Sequence, residues 1–263
     1  MNIFYAIILG AVQGLTEMLP ISSSAHLTII PWIFNWDIPE WFDVALHAGT
    51  LIAIMLYFFK DWLKLIKGGF DFAVKKEKTV QGRMFWYIVL ATLPGGGIGF
   101  ILDKFLSDKL QRPIIIALAL MVMGIVLYLV DKKSKNKISY EQMTLKQTFL
   151  IGVSQALAFI PGVSRSGITI TTARAMGIKR EAAARYSFML SAPIVLAATV
   201  FKIKDFVFSW ACIVGILVSF IVGVLVIRFL LNYIQKKDYK IFAIYRVIFS
   251  ILIIIITIVK LVI

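Results

Sequence analysis

Two segments of this chain carry the same arrangement of helix breakers and hydroxyl residues inside sequence otherwise apolar enough for lipid. The first, Gly10 to His26, reads G-A-V-Q-G-L-T-E-M-L-P-I-S-S-S-A-H, and the second, Gly152 to Thr169, reads G-V-S-Q-A-L-A-F-I-P-G-V-S-R-S-G-I-T. At the offset that lays Gly10 on Gly152, Gln13 falls on Gln155, Leu15 on Leu157, Ile21 on Val163, Ser22 on Ser164 and Ser24 on Ser166, without a gap. Such a duplication predicts two copies of one structural unit. One copy carries a carboxylate and an imidazole (Glu17, His26) and the other a guanidinium, Arg165. Ionisable groups are costly in apolar surroundings, so they imply a function and a partner. Two copies brought face to face would form one site for an anion.

The apolar context sets the class. Hydrophobic residues make up 60% of the chain and mean hydropathy is +0.90, which predicts a polytopic membrane protein rather than a soluble domain. The first residues lack the basic stretch and small-residue cleavage site of a secretory signal, so Met1 is expected to remain. A net charge of +14 would suggest nucleic acid in a soluble protein. Here it is read as Lys and Arg collected in cytoplasmic loops, with no nucleic-acid partner. The single cysteine, Cys212, excludes an internal disulfide and reads as a small core or lipid-facing residue.

Apolar runs long enough to cross or nearly cross a bilayer lie at about 43–59, 84–102, 113–130, 186–201, 207–231 and 241–262. Two further apolar regions, about 2–34 and 147–177, contain Pro20 and Pro161-Gly162 with serines beside them. These read as re-entrant helix–loop–helix hairpins, because Pro and Gly break helices and hydroxyls satisfy the freed backbone groups. The segment from Lys60 to Arg83 and the loop from Asp131 to Lys146 are Lys-rich and are expected on the cytoplasmic side, whereas Asp37 to Asp43 is acidic and expected outside. These assignments agree only if both hairpins return to the side they came from. The expectation is therefore an all-α membrane protein, a single integral domain over 1–263. Its six spans and two hairpins form inverted repeats at about 2–130 and 147–262, joined by the basic loop 131–146, with both termini outside.

The residues themselves suggest chemistry. Arg165 presents a planar fork of donors suited to phosphate, Ser164 and Ser166 flank it, and Gly162 and Gly167 allow backbone N–H groups close to a ligand. A helix starting near Ser166 would add its positive dipole end. The bland alternative is an Arg165–Glu17 pair that only holds the repeats together, although a buried ion pair is a poor stabiliser. Glu17 follows Gln13 by one helical turn, and Ser22, Ser23 and Ser24 lie between Glu17 and His26. A serine near an imidazole and a carboxylate is the ordinary arrangement for an activated nucleophile or an acid–base pair. Otherwise the serines cap a broken helix and His26 is a hydrogen-bonder. His47 reads as interfacial or structural, Arg174 as a snorkelling residue or a cap for the second hairpin, and Pro94-Gly95-Gly96-Gly97 as a loosened span that permits close packing. Trp32, Trp36 and Trp41 read as an aromatic belt.

Gln13-x-x-x-Glu17 matches an (E/Q)xxxE signature and Pro161-Gly-Val-Ser-Arg-Ser-Gly-Ile-Thr169 matches PGxSRSxxT. Together, in this order and over essentially the whole chain, they resemble the bacterial undecaprenyl-diphosphate phosphatases, also called bacitracin-resistance proteins. The resemblance implies removal of the terminal phosphate of undecaprenyl diphosphate at the outer face of the cell membrane, which recycles the lipid carrier for peptidoglycan synthesis. It implies Ser23 as nucleophile, Glu17 as its base or as a transient metal ligand, and His26 as acid–base, or as the nucleophile if Ser23 only binds. Arg165 stabilises the transferring phosphoryl, with Gln13, Ser22, Gly162, Ser164, Ser166 and Thr169 in the binding shell. Many relatives have Glu where this chain has Gln13, so Mg²⁺ or Ca²⁺ is expected to arrive with the substrate rather than reside permanently. No organic cofactor is expected, and a homodimer stays open. The competing function is a transporter or flippase for a lipid phosphate or other anion, because inverted repeats with broken helices are a transporter construction.

Overall fold

The computed structural model describes residues 2–202 and 207–262, the side chains at 40 and 99–109 excepted; Met1 therefore lies outside the described residues. Two polar interruptions break what would otherwise be continuous apolar helix. Helix α1 (Ile3–Met18) stops before Pro20, and α2 (Ser23–Phe34) restarts from Ser22, whose side chain accepts the Ala25 N–H at 3.4 Å. In the second copy α7 (Leu145–Ser154) tightens into a 3₁₀ turn, Gln155–Phe159, and α8 (Arg165–Ala175) restarts from Ser164, which accepts the Gly167 N–H at 3.0 Å. Both capping serines sit at positive φ, 76° at Ser22 and 72° at Ser164. Non-glycine residues rarely occupy that region, so each tip is a strained elbow.

The remaining helices are α3 (Glu40–Tyr57), α4 (Phe59–Val74), α5 (Val80–Leu110), α6 (Pro113–Lys133), α9 (Arg180–Phe201), α10 (Trp210–Lys236) and α11 (Lys240–Val262). Among the described residues the only β pairing is the bridge between Ile138 and Ile178. Four helices, α6, α9, α10 and α11, are long and apolar enough to cross a membrane, and a fifth crossing is counted if α3 and α4, bent by 77°, form one broken span. Only 28% of the apolar windows of α6 and α11 is buried by protein, which leaves apolar surface that lipid must cover. The chain is a multi-pass, all-helical membrane protein.

Each broken segment closes on itself. Tyr5 near the start of α1 stacks on Trp36 just beyond α2, ring centroids 4.4 Å apart. In the second copy Lys137 and Ile138 donate to Gly177 O at 2.9 and 3.1 Å, and Lys179 donates to Ile138 O at 2.8 Å. Helix α11 ties the two closures to its opposite ends. At its start the Tyr239 hydroxyl donates to Arg180 O at 3.2 Å, and near its end Lys260 donates to Trp32 O at 2.8 Å. Its 23 residues span roughly 35 Å.

Close helix contacts repeat as well. Gly10 of α1 lies against Gly215 of α10, and its counterpart Gly152 of α7 lies against Ala91 of α5; an added Cβ would stand 2.8 Å and 2.2 Å from the facing carbonyl oxygens. Of the Pro94-Gly95-Gly96-Gly97 run only Gly95 is closely packed, an added Cβ there standing 2.7 Å from Gln155 Nε2; Gly96 and Gly97 have nothing within 4 Å, and α5 passes through the run unbroken. The basic stretch after Lys60, expected as a loop, is largely α4: Trp62, Leu65, Gly68 and Gly69 form a buried face, Trp86 Nε1 donates to Gly69 O at 3.2 Å, and Lys60, Lys64 and Lys67 stay exposed. The apolar residues there recur at helical rather than loop spacing. Arg174 does not snorkel. It is fully buried, bonds Ile178 O beyond the end of α8, and donates from Nε to Asp131 at 2.6 Å. Cys212 belongs to the core, beside Phe42 and Leu46.

Candidate active site

The two elbows meet at Glu17. One carboxylate oxygen accepts the Ser23 hydroxyl from the first broken segment and the other accepts the Arg165 guanidinium from the second. Arg165 also donates to Ser191 O of α9 at 3.2 Å. Ser166 stitches the copies together by donating to Leu19 O at 3.1 Å. Thr169 bonds back to Arg165 O at 2.8 Å and to the Ser187 hydroxyl at 2.7 Å, so it orients the first turn of α8. Within each elbow the capping serine lies 3.2 Å from the serine two residues on, Ser22 from Ser24 and Ser164 from Ser166.

Of the residues expected from the sequence, Glu17, Ser23, Arg165, Ser166 and Thr169 thus come together in one connected network. Ser22, Ser164 and Gly162 shape the elbows, Gly162 at φ 98° with Ile116 O close enough to exclude a side chain. Gln13 is fully buried one turn before Glu17; its Nε2 lies 2.7 Å from His47 Nδ1 and 3.4 Å from the Thr50 hydroxyl. His47, read from sequence as interfacial or structural, is 3.7 Å from Glu17 and belongs to the site. Its signal was an imidazole inside an apolar run, the same signal that singled out His26.

His26 faces elsewhere. Its Nδ1 is 2.7 Å from Ser22 O, so this nitrogen donates, and the neutral ring's Nε2 accepts from the Tyr245 hydroxyl at 2.6 Å. The ring stacks on Phe249 with centroids 4.4 Å apart. No bond joins it to Glu17, Ser23 or Arg165 among the described contacts. Nothing in the sequence pointed to Tyr245. Its neighbour Arg246 carried a usable signal, an ionisable residue within the last apolar run, and is fully buried.

The donor set does not build a resident divalent-cation site. Glu17 is the one carboxylate, both its oxygens are engaged, and a guanidinium lies against it; among the described residues no three His, Cys, Asp or Glu side chains cluster. What the site offers is a hydroxyl bonded to a carboxylate, beside a guanidinium and the starts of two helices. That combination has the chemistry needed to activate a nucleophile next to a place for an anion.

Residues 6–252 match the family model described as bacitracin resistance protein BacA. The chain is 45% identical over 252 residues to the undecaprenyl-diphosphatase of Pelotomaculum thermopropionicum, covering 94% of each chain. It is 43% identical to the undecaprenyl-diphosphatase of Desulforudis audaxviator (99% of this chain and 100% of the relative), and 46% identical to that of Caldicellulosiruptor bescii, with 94% of each covered. With a family match along nearly its whole length, the chain belongs to the bacitracin resistance protein BacA family.

Proposed function

We infer that this protein hydrolyses the terminal phosphate of undecaprenyl diphosphate, yielding undecaprenyl phosphate and phosphate, and so recycles the carrier lipid and confers bacitracin resistance. The observation that carries the reading is the junction at Glu17, where a serine from one hairpin and an arginine from the other share a single carboxylate. In the reaction Glu17 takes the Ser23 proton as Ser23 Oγ attacks the terminal phosphorus, and the bond to the bridging oxygen breaks to release the prenyl monophosphate. Glu17 passes that proton to the departing prenyl monophosphate, takes one from the water that attacks the phosphoserine, and returns it to Ser23 Oγ as phosphate leaves. Arg165 moves from Glu17 onto the phosphoryl oxygens, whose charge it stabilises. The α2 and α8 N-termini and the Ser164 and Ser166 hydroxyls hold the diphosphate, and Gln13 completes the shell through its amide nitrogen, the donor of that side chain. Because His26 is committed to Ser22 O and Tyr245, the hydrogen bonding favours Ser23 over His26 as nucleophile.

Both broken segments are re-entrant hairpins, inserted from opposite faces as halves of an inverted repeat. The closures at opposite ends of α11 support this. Six spans complete the topology, and loop charge puts both termini and the site on the outer side. Mg²⁺ or Ca²⁺ accompanies the diphosphate, and assembly as a homodimer is open to light scattering in detergent.

The test is phosphate release from a short-chain prenyl diphosphate by detergent-solubilised protein, compared with Arg165→Ala, each with and without EDTA. Release confined to the native protein supports the phosphatase. Its absence moves the reading to a transporter, since transport needs a sealed membrane. Release undiminished by EDTA removes the metal.

A further inference from the structure

Arg246 is fully buried on α11, and among the described residues no carboxylate pairs with it. It is instead held by four main-chain carbonyls. Nε donates to Leu120 O of α6 at 3.1 Å, Nη1 to Pro20 O at 3.0 Å, and Nη2 to Gly162 O and Val163 O at 2.7 and 3.0 Å. Pro20 and Gly162 are equivalent positions of the duplication, each two residues before a positive-φ serine. One guanidinium therefore grips the same carbonyl in both elbows. The helices are shaped to admit it: an added Cβ at Gly124 of α6 would stand 3.0 Å from the Arg246 Cβ, and one at Gly167 in α8's first turn would stand 2.8 Å from Nη1.

A buried cation bonded only to neutral groups is expensive and persists where it does something a neutral side chain cannot. Lysine lacks the planar fork needed to reach carbonyls on three separate segments at once. The elbows it joins carry Ser23 and Arg165, each the residue immediately after a strained serine, so a shift of either tip misplaces a reacting group. We propose that Arg246 is a positioning residue that fastens the two elbows in register, so that Ser23 and Arg165 converge on the phosphoryl group.

The proposal rests on the phosphatase reading for its catalytic consequence but not for its structural one, and Arg246→Lys separates the two. Hydrogen–deuterium exchange is followed in peptides covering Met18–Ser24, Ile160–Ser166 and the middle of α10, alongside steady-state phosphate release from a prenyl diphosphate. Exchange at both tips is expected to quicken about tenfold with α10 unchanged. The value of kcat is expected to fall roughly 100-fold while KM stays within about threefold, the scale of misplacing reacting groups by about an ångström. Unaltered exchange at either tip, or an unchanged kcat, overturns the proposal. Faster exchange throughout α10 also overturns it, because Arg246 would then support the fold at large. Native protein that releases no phosphate overturns the phosphatase reading instead, and the exchange at the two tips still decides the role of Arg246.

Discussion

The two elbows share a backbone and differ in what they deliver. Each has a serine at φ near +70°, a hydroxyl capping the helix that follows, and a second serine 3.2 Å away. At the next position the first elbow places Ser23 and the second places Arg165, and both reach Glu17, whose own counterpart is Phe159. Duplication thus supplies the geometry twice, and divergence at one position supplies a hydroxyl on one side and a fixed cation on the other. Two copies of the second elbow would set guanidinium against guanidinium with no carboxylate between them, and two copies of the first would offer hydroxyls and carboxylates with no cation for an anion.

Substitutions that touch only one elbow sharpen this contrast. Arg165→Ala is expected to lower kcat/KM roughly 10³-fold, the scale of removing an arginine from a phosphoryl-transfer site, while circular dichroism stays native. Near-normal turnover would remove Arg165 from the chemistry and leave it a tie between the repeats. Ser23→Ala removes the nucleophile itself and is expected to cost on the order of 10³-fold or more in kcat, with Ser24→Ala far milder. The reverse order, with His26→Gln abolishing turnover and Ser23→Ala sparing it, would transfer the nucleophile to His26.

Smaller effects test the shared scaffold. Gly152→Ala drives a Cβ to 2.2 Å from Ala91 O, against 2.8 Å from Gly215 O for Gly10→Ala. Both obstacles are backbone, so both variants are expected to lose about 1–3 kcal/mol, Gly152→Ala the more, as read from thermal midpoints in detergent. Equal midpoints would show that α5 yields more readily than α10. At Ser164 alanine loses the cap and keeps the strain at φ 72°, whereas glycine relieves the strain. Ser164→Gly is therefore expected to be about 1 kcal/mol more stable than Ser164→Ala, and the opposite order would mean that the elbow is unstrained.

The membrane class, the duplicated elbows and the Ser22 and Ser164 helix starts were legible because they rest on neighbouring residues: long apolar runs, Pro and Gly breaks, hydroxyls at capping positions. The two signatures likewise pointed to Glu17 and Arg165, and the family resemblance to Ser23. Helix α4 was hidden because its lysines read as loop charge and mask the helical spacing of Trp62, Leu65 and Gly69. Tertiary packing alone decided that His26 turns to Tyr245, that His47 joins Gln13, and that Arg246 holds Pro20 and Gly162 together. Those contacts join residues far apart in the chain, and their energy comes from desolvating polar groups that must then find whichever partner the packed helices bring within reach. A local pattern can announce that such a group needs a partner; only the folded arrangement of α1, α3, α8 and α11 settles which one it receives.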